Sequence, residues 1–316
     1  MTEIKSKSRT EELKESAYSK SPPPKKNLVK IIINFVIVLI VLGWAFNGAN
    51  FNIRELIEGR KPLISTLGRM MPPDFKKIVD PNHYNKPEDL NIPQLFLPIP
   101  LEKVQAKHKE TWWNNQFPQT ILGSMIQTIQ MAMAGTTIAL FFAFPISFLA
   151  ARNTSPHPLV YKTLKIILSV LRTIPELALG LIFVSAVGLG AFAGTMALAF
   201  GTTTVLIKLV SESIERIDEG VVEAVKTTGA NYFQILSFAV VPQMLPDLIS
   251  FGLYRFETNI RAASVLGLIG AGGMGYLLNN AFRTFAYQEA CAIVVILIVL
   301  VISVDNISAR LRRLAI

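Results

Sequence analysis

Residues 211–246 read SESIERIDEGVVEAVKTTGANYFQILSFAVVPQMLP, a polar stretch between two apolar runs. Asp218 is a favourable N-cap for a short helix, and Gly229 can supply the left-handed residue that ends it. We expect a second helix from Asn231 to Val241, with Pro242 at its junction with the next apolar run. The stretch therefore predicts two short helices joined by a turn, and the first helix presents valines that need a partner surface.

The composition of the whole chain indicates a membrane protein. The 316 residues are 51% hydrophobic and 17% charged, whereas soluble domains carry roughly 25% charged residues. The net charge of +9 is divided among the N-terminal tail, loops and the C-terminus. Attraction to lipid headgroups and the excess of basic residues on cytoplasmic segments account for this distribution. A nucleic-acid partner is therefore not expected.

Six apolar stretches are long enough, with their flanks, to cross about 30 Å of hydrocarbon. The sequence therefore predicts an all-α membrane protein with six transmembrane helices. These stretches are 28–46, Ile121–Ala150, Leu159–Leu189, Ala191–Val210, Leu245–Leu278 and Glu289–Val304.

The spans divide the chain into five parts. Residues 1–27 are predicted to be a disordered cytoplasmic tail, and 28–46 to be the first transmembrane helix. Residues 47–119 form an extracytoplasmic segment, 120–308 a membrane core with a cytoplasmic loop at 211–244, and 309–316 a basic cytoplasmic tail. An even number of spans and basic ends predict that both termini of this multi-pass protein are cytoplasmic.

Charged residues inside two apolar stretches are candidates for function. Arg172 and Glu176 are four residues apart, as are Glu257 and Arg261, so each pair can share a helix face and neutralise itself. An unpaired charge near the bilayer centre costs at least about 2.5 kcal/mol. Two interpretations remain open. In the first, the pairs only hold helices together; in the second, Arg172, Arg255 and Arg261, with the two glutamates, line a polar path for an anion.

Glycines are concentrated in the sequence LGLIGAGGMGY, residues 266–276. Small residues at this density permit close helix packing or a re-entrant segment. No strand precedes them and their setting is apolar, so they are not a dinucleotide-binding motif. We expect a gate or packing contact near the outer face, formed by Gly267, Gly270, Gly272, Gly273 and Gly275.

The sequence argues against chemistry within this chain. The single cysteine, Cys291, and the dispersed His83, His108 and His157 do not form a metal-binding or catalytic pattern. The sequence has no G-x-x-x-x-G-K-[ST] motif, so the chain is not expected to bind ATP phosphates. We expect no cofactor in this chain and no enzymatic activity; an intramembrane enzyme is the least favoured class.

The polar stretch resembles the loop of permeases from binding-protein-dependent ABC importers. Glu223 and Ala224, then Gly229, then Pro242 follow that family's pattern of E-A-A, three residues, G, nine residues, I-x-L-P. Val225, Ala239 and Val241 depart from it but stay small or apolar. The resemblance implies a type I, MetI-like permease core, in which Glu223, Ala224, Gly229 and Pro242 belong to a cytoplasmic coupling helix that docks onto a separate ATPase.

Further motifs resemble phosphonate importers. They are MPPDF at 71–75, RTIPEL at 172–177, GLGAFAG at 188–194 and SVLGLIGAGGMG at 264–275. The resemblance implies a bacterial cytoplasmic membrane, a second permease copy (identical or closely homologous), two ATPase subunits that bind ATP and magnesium, and an extracytoplasmic substrate-binding protein. Phosphonate, phosphite and phosphate stay open as substrates.

Two other transport functions stay open. The chain can be a permease for another small substrate, or a secondary transporter that needs no ATPase. The second alternative predicts inverted repeats around broken helices, and it leaves the loop at 211–244 without a role.

Overall fold

The structure, a computed structural model, describes residues 28–49, 51–75 and 86–315. The described residues form helices and turns, and no strand occurs among them. The predicted disordered tail, 1–27, lies outside these residues. The chain divides into two compact units, one ending at Ile64 and the other beginning at Ser65.

The first unit contains the first apolar stretch as helix α1, Leu28–Gly48. The predicted first transmembrane helix, 28–46, lies on this helix, and its crossing of a membrane stays a prediction. Helix α2, Ile53–Glu58, follows, and the side chain of Asn52 caps it by accepting a hydrogen bond from the backbone N–H of Arg54. Helix α3 runs over Arg60–Met70.

After the end of α3, the second unit contains a small helical segment that precedes the membrane core. It contains α4, Ile92–Phe96, and α5, Lys103–Thr111, followed by a π-helical turn and a 3₁₀ turn over residues 112–119. Trp112 and Phe117 are buried, and the Trp113 and Phe117 ring centroids are 4.3 Å apart. These aromatic contacts hold the segment against the start of the next helix.

The membrane core is built around three long helices. They are α6, Ile121–Ala150; α9, Ala191–Ile214; and α12, Val241–Gly267. Small residues let α6 and α9 approach closely, since a Cβ added to Gly135 would lie 3.0 Å from the Leu198 Cβ. Helices α13, Gly273–Arg283, and α14, Tyr287–Ala315, pack against this centre.

Four helical segments are long and apolar enough to span a membrane, and the number rises to six if each of two bent helix pairs is one span. The four are Ile121–Ala150, Ala191–Ile214, Tyr232–Gly267 and Tyr287–Arg313. The number of spans therefore agrees with the expected six only when the bent pairs are included.

The predicted third span, Leu159–Leu189, is broken. It consists of α7, Pro158–Leu171, and α8, Glu176–Val187, which meet at an angle of 83°. Pro175 causes the break because it lacks an N–H and disfavours helical geometry in the residue before it. Arg172 and Glu176 therefore do not share a helix face, and the prediction that they form a pair is wrong.

The fifth stretch also differs from the prediction. Helix α11, Tyr232–Ile235, continues through a π-helical segment, Leu236–Val240, directly into α12. Pro242 lies in the first turn of α12, where a missing N–H is tolerated, so it does not end a separate helix at Val241. The expected span to Leu278 instead ends at Gly267, and a turn leads to α13.

Candidate functional site

The loop between α9 and α12 contains helix α10, Glu219–Thr227. The Asp218 side chain accepts a hydrogen bond of 2.8 Å from the backbone N–H of Gly220. Gly229 follows the helix with a φ of +82°, a conformation that favours glycine. The predicted N-cap and the predicted left-handed end of this helix are both confirmed.

The surface of this loop is open. Helix α10 has no buried residue, and Glu223, Ala224 and Gly229 are all exposed. Phe233 and Phe238, on the segment that follows, are 76% and 70% exposed. Aromatic side chains this exposed beside a short amphipathic helix are typical of a protein-binding surface.

The same loop is tied to the neighbouring loop at residues 151–157. The Tyr232 hydroxyl donates a hydrogen bond of 2.6 Å to the carbonyl oxygen of Thr154. Asn153 donates from Nδ2 to the carbonyl oxygen of Ile214 at 2.7 Å. A cavity of about 460 Å³ separates α10 from this second loop. The two loops therefore form one hydrogen-bonded assembly at the ends of α6 and α9.

A polar network crosses the helical core. The Arg255 Nη2 donates to Glu176 Oε1 at 2.9 Å and to Thr202 Oγ1 at 3.2 Å. Thr202 donates to Asn259 Oδ1, and Asn259 donates from Nδ2 to Thr136 Oγ1 at 2.8 Å. The network joins α6, α8, α9 and α12, and Arg255 is only 9% exposed. Glu176 thus pairs with Arg255, rather than with Arg172 as predicted.

A second ionic cluster joins α12 to α14. Arg261 Nη2 lies 2.6 Å from Glu257 Oε1, so the predicted pairing of these residues is confirmed. Arg261 also contacts Asp305 at 2.8 Å, and Arg312 contacts Glu257 at 3.3 Å. Sequence reasoning missed Asp305 and Arg312. The polar pair Asp305–Asn306, which interrupts the last apolar run, was the available signal.

Arg172 is the predicted path residue that stays outside both clusters. It is the C-cap of α7 and is exposed. Within residues 28–49, 51–75 and 86–315, no carboxylate forms an ion pair with its guanidinium. Arg172 therefore differs in its surroundings from Arg255 and Arg261.

The glycine cluster is a packing element between α12 and α13. A Cβ added to Gly275 would lie 1.8 Å from the carbonyl oxygen of Ser264, so this position admits only glycine without movement. The N–H groups of Gly273 and Met274 donate to Gln127 Oε1 and Thr128 Oγ1 at 2.8 and 2.9 Å. Gly267, Gly270, Gly272, Gly273 and Gly275 thus pass close to α6, to α12 and to the turn that leads into α9.

The described histidines have ordinary structural roles. His108 Nδ1 lies 2.9 Å from Asp89 Oδ2, and His157 Nδ1 accepts a hydrogen bond from the N–H of Leu159 at the start of α7. The hydrogen bond from His108 holds the pKa of the exposed Asp89 carboxyl below its ordinary value. Among the described residues, no group of three or more His, Cys, Asp or Glu residues is placed to bind a metal ion.

Comparisons with known proteins agree with this architecture. Residues 143–314 match the family described as binding-protein-dependent transport system inner membrane component. The phosphite transport system permease protein PtxC of Stutzerimonas stutzeri is 43% identical over 189 residues, which cover 60% of this chain and 69% of that protein. The phosphate-import permease protein PhnE of Mycolicibacterium smegmatis is 42% identical over 186 residues, covering 59% of this chain and 35% of PhnE.

A shorter relative and a solved structure extend the comparison. The putative cryptic phosphonate transport system permease protein PhnE2 of Escherichia coli is 48% identical over 118 residues, which cover 37% of this chain and 97% of PhnE2. An inward-facing structure of the MetNI methionine ABC transporter contains a chain with a TM-score of 0.55 and 20% identity, covering 62% of this chain and 96% of that one. At this identity the structural similarity shows the fold alone.

Proposed function

Because the chain belongs to the family of binding-protein-dependent transport system inner membrane components, we propose that it is the permease of an ATP-driven importer of phosphorus oxyanions. The observation that carries the proposal is the 43% identity with a phosphite permease over 189 residues. The phosphate and phosphonate permeases at 42% and 48% identity support the same substrate class. Phosphite, phosphonate and phosphate share a tetrahedral phosphorus with charged oxygens.

The loop at 211–244 couples this permease to a separate ATPase. Helix α10 presents Glu223 and Ala224 to a groove on that subunit, and Gly229 shapes the end of the helix. ATP and magnesium are bound and used by the partner. Pro242 lies in a helical run that continues from Tyr232 to Gly267, so a displacement of the loop is carried along one rigid element to Arg255 and Asn259.

The complete importer contains two permease copies, two ATPase subunits and an extracytoplasmic binding protein, in the bacterial cytoplasmic membrane. Both termini and the loops at 151–157 and 211–244 face the cytoplasm. This orientation places α10 on the side of the membrane where ATP is available. The outer segment, 47–119, then lies on the side where the binding protein delivers its ligand.

The charged residues and glycines inside the membrane core have two further roles. The Arg255–Glu176 pair joins α12 to α8, and the Arg261–Glu257 pair is joined to α14 by Asp305 and Arg312; both lie beside the path. Unpaired, each charge would cost at least about 2.5 kcal/mol near the bilayer centre. The glycine cluster at 267–275 acts as a gate or a packing contact near the outer face, because glycine allows the backbones of α12 and α13 to approach closely.

A permease for a different substrate is the alternative. The methionine import permease MetP of Bacillus subtilis is 30% identical over 145 residues, and this lower identity makes methionine the weaker choice. A secondary transporter needs no surface such as that of α10.

The test is reconstitution. The chain is expressed with a P-loop ATPase and a binding protein of a phosphorus-oxyanion importer, and the complex is placed in proteoliposomes. We expect uptake of radiolabelled phosphite or phosphate that requires both ATP and the binding protein. Uptake of methionine instead would overturn the substrate class, and uptake without ATP would overturn the coupling to an ATPase.

A further inference from the structure

One side of α7 carries polar and basic side chains that the two ionic clusters do not use. Five such residues share this side: at 100° per residue, their positions lie within about 100° of one another around the helix axis. All five are exposed, and all but Arg172 line a groove of about 560 Å³, together with Tyr161, Ile166 and Val170. We call this set the α7 stripe; it consists of Lys162, Lys165, Ser169, Arg172 and Thr173.

The other two sides of α7 differ from the stripe in composition. Leu168, only 9% exposed, faces the core. Ile167 and Val170, 47% and 60% exposed, form an apolar side suited to lipid. The stripe and the apolar side meet in the groove, because Ile166 and Val170 line it together with the stripe residues.

Depth separates Arg172 from the two lysines. At about 1.5 Å per residue, Lys162 and Lys165 lie about 6 and 10 Å along the axis from Pro158, whereas Arg172 lies about 21 Å along it. The lysines can extend to the headgroup region. If α7 begins at the cytoplasmic boundary of a hydrocarbon layer of about 30 Å, Arg172 lies too far along the helix for its side chain to reach the headgroups at that boundary.

A second measure places this end of α7 near the middle of the membrane. Glu176, four residues after Arg172, reaches the Arg255 guanidinium, which also contacts Thr202. Thr202 is the twelfth of the 24 residues of α9. The break between α7 and α8 therefore lies close to the midpoint of an adjacent spanning helix.

Arg172 differs from the other two arginines in that no carboxylate within the described part of the chain neutralises it. The guanidinium groups of Arg255 and Arg261 are neutralised by carboxylates at 2.9 and 2.6 Å. No described carboxylate pairs with Arg172. An exposed guanidinium at this depth is stable only beside water, a counter-ion or protein, since hydrocarbon would penalise it by at least about 2.5 kcal/mol.

Resting on the proposed function, we propose that the α7 stripe is the wall of the cytoplasmic half of the translocation path and takes a tetrahedral phosphorus oxyanion, with Arg172 as its deepest contact. A guanidinium matches two oxygens of such an anion at once. Hydroxyls at Ser169 and Thr173 and ammonium groups at Lys165 and Lys162 offer successive contacts toward the cytoplasm.

The existing contacts of the stripe suit passage rather than tight binding. The Ser169 hydroxyl donates to the carbonyl oxygen of Lys165 at 2.6 Å, and Lys165 Nζ donates to the Tyr161 hydroxyl at 2.6 Å. Each contact must loosen before the group turns to the anion. The groove is open, so solvent that enters it would weaken each ionic contact by screening. Weak, sequential contacts let an anion leave the path as readily as it enters.

The first test measures water access to the stripe. Ser169→Cys and Thr163→Cys are made in a Cys291→Ala background; Thr163 is an exposed residue about 120° around the axis from Ser169, on the lipid side. The complex is treated with sulfonatoethyl methanethiosulfonate. We expect S169C to react several-fold faster, because the reactive thiolate forms only in water, and inorganic phosphite to slow it.

Equal rates for the two cysteines, or no protection by phosphite, would overturn the proposal. Spontaneous S169C cross-linking between two permease copies would also overturn it, since the stripe would then be a closed dimer contact. This labelling test does not depend on uptake. If the wild-type complex transports no phosphorus oxyanion, the proposed function fails while the stripe's access to water is still measured.

The second test measures uptake by the full complex. We expect Arg172→Gln to lower phosphite uptake about tenfold, the equivalent of one lost charge-assisted hydrogen bond, with assembly and ligand capture unchanged. Uptake by Arg172→Lys should lie between that of the wild type and that of Arg172→Gln, because lysine keeps the charge but lacks the planar guanidinium. Arg283→Gln, at an exposed arginine in the last turn of α13, is the matched control. Uptake of R172Q equal to that of R283Q would overturn the proposal.

Lipid headgroups offer the same phosphate chemistry, so the vesicle composition separates the two sources. The comparison is repeated in vesicles of phosphatidylcholine alone and in vesicles that contain phosphatidylglycerol. We expect the R172Q defect in both. A defect that disappears without the anionic lipid would assign the stripe to headgroups and overturn its role in the path.

Discussion

Gly275→Ala tests how closely α12 and α13 must approach. The added methyl group would lie 1.8 Å from the carbonyl oxygen of Ser264 and 3.0 Å from the Gly267 Cα. Carbon and oxygen atoms do not approach closer than about 3 Å, so α13 has to move outward by about 1 Å or more. Overpacking of this kind costs about 1–3 kcal/mol. Helix propensity would act in the other direction, by up to about 1 kcal/mol for alanine over glycine.

Gly68→Ala is the matched control, because Gly68 is also inside a helix and an added Cβ meets no atom within 4 Å. The assay is thermal unfolding of the detergent-solubilised protein, followed by size-exclusion chromatography of a fluorescent fusion. We expect a lower midpoint for G275A than for the parent, and an unchanged or higher midpoint for G68A. Equal midpoints for the two variants would refute the close approach of these helices.

Three other predictions concern the loop and the core. Gly229→Val places a β-branched residue at a φ of +82° and should impair binding of the ATPase, measured by co-purification. Ala230→Val, at a position where the φ is not positive, should leave this binding unchanged. Equal recovery of the ATPase with the two variants would contradict the role of this turn. Tyr232→Phe removes the hydrogen bond to Thr154, worth about 1 kcal/mol, and should raise the ATP consumed per ion transported without loss of assembly; an unchanged ratio would argue that this contact is structural only. Asn259→Leu removes the hydrogen bonds to Thr136 and Thr202. It should lower the midpoint of thermal unfolding, because unsatisfied buried polar groups cost about 1–3 kcal/mol each. The control Asn306→Leu, at an exposed position of α14, should have little effect on this midpoint.

Local features of the loop were predictable from the sequence. Asp218 and Gly229 act within a few residues of their own position, so their capping roles depend on neither partner nor packing. The Glu257–Arg261 pair was predictable for the same reason, since one turn of a continuous helix brings the two side chains together.

The directions of the helices, and the contacts that depend on them, were not predictable from the sequence. Pro175 interrupts the third stretch and turns α8 by 83° from α7, which removed the expected contact between Arg172 and Glu176. At Pro242, by contrast, the π-helical segment before it keeps the helix continuous. A proline therefore indicated a disturbance in both cases, but packing decided whether the helix broke.

The sequence by itself determined that this is a helical membrane chain with a capped loop helix, because apolar length, capping and i,i+4 pairing act over short distances. Only the tertiary structure decided which charges neutralise one another. Arg255 reaches Glu176 across 79 residues, and Arg261 reaches Asp305 across 44. The need to satisfy charges in a low-dielectric core selects partners by proximity in space, and this selection left Arg172 exposed on the α7 stripe.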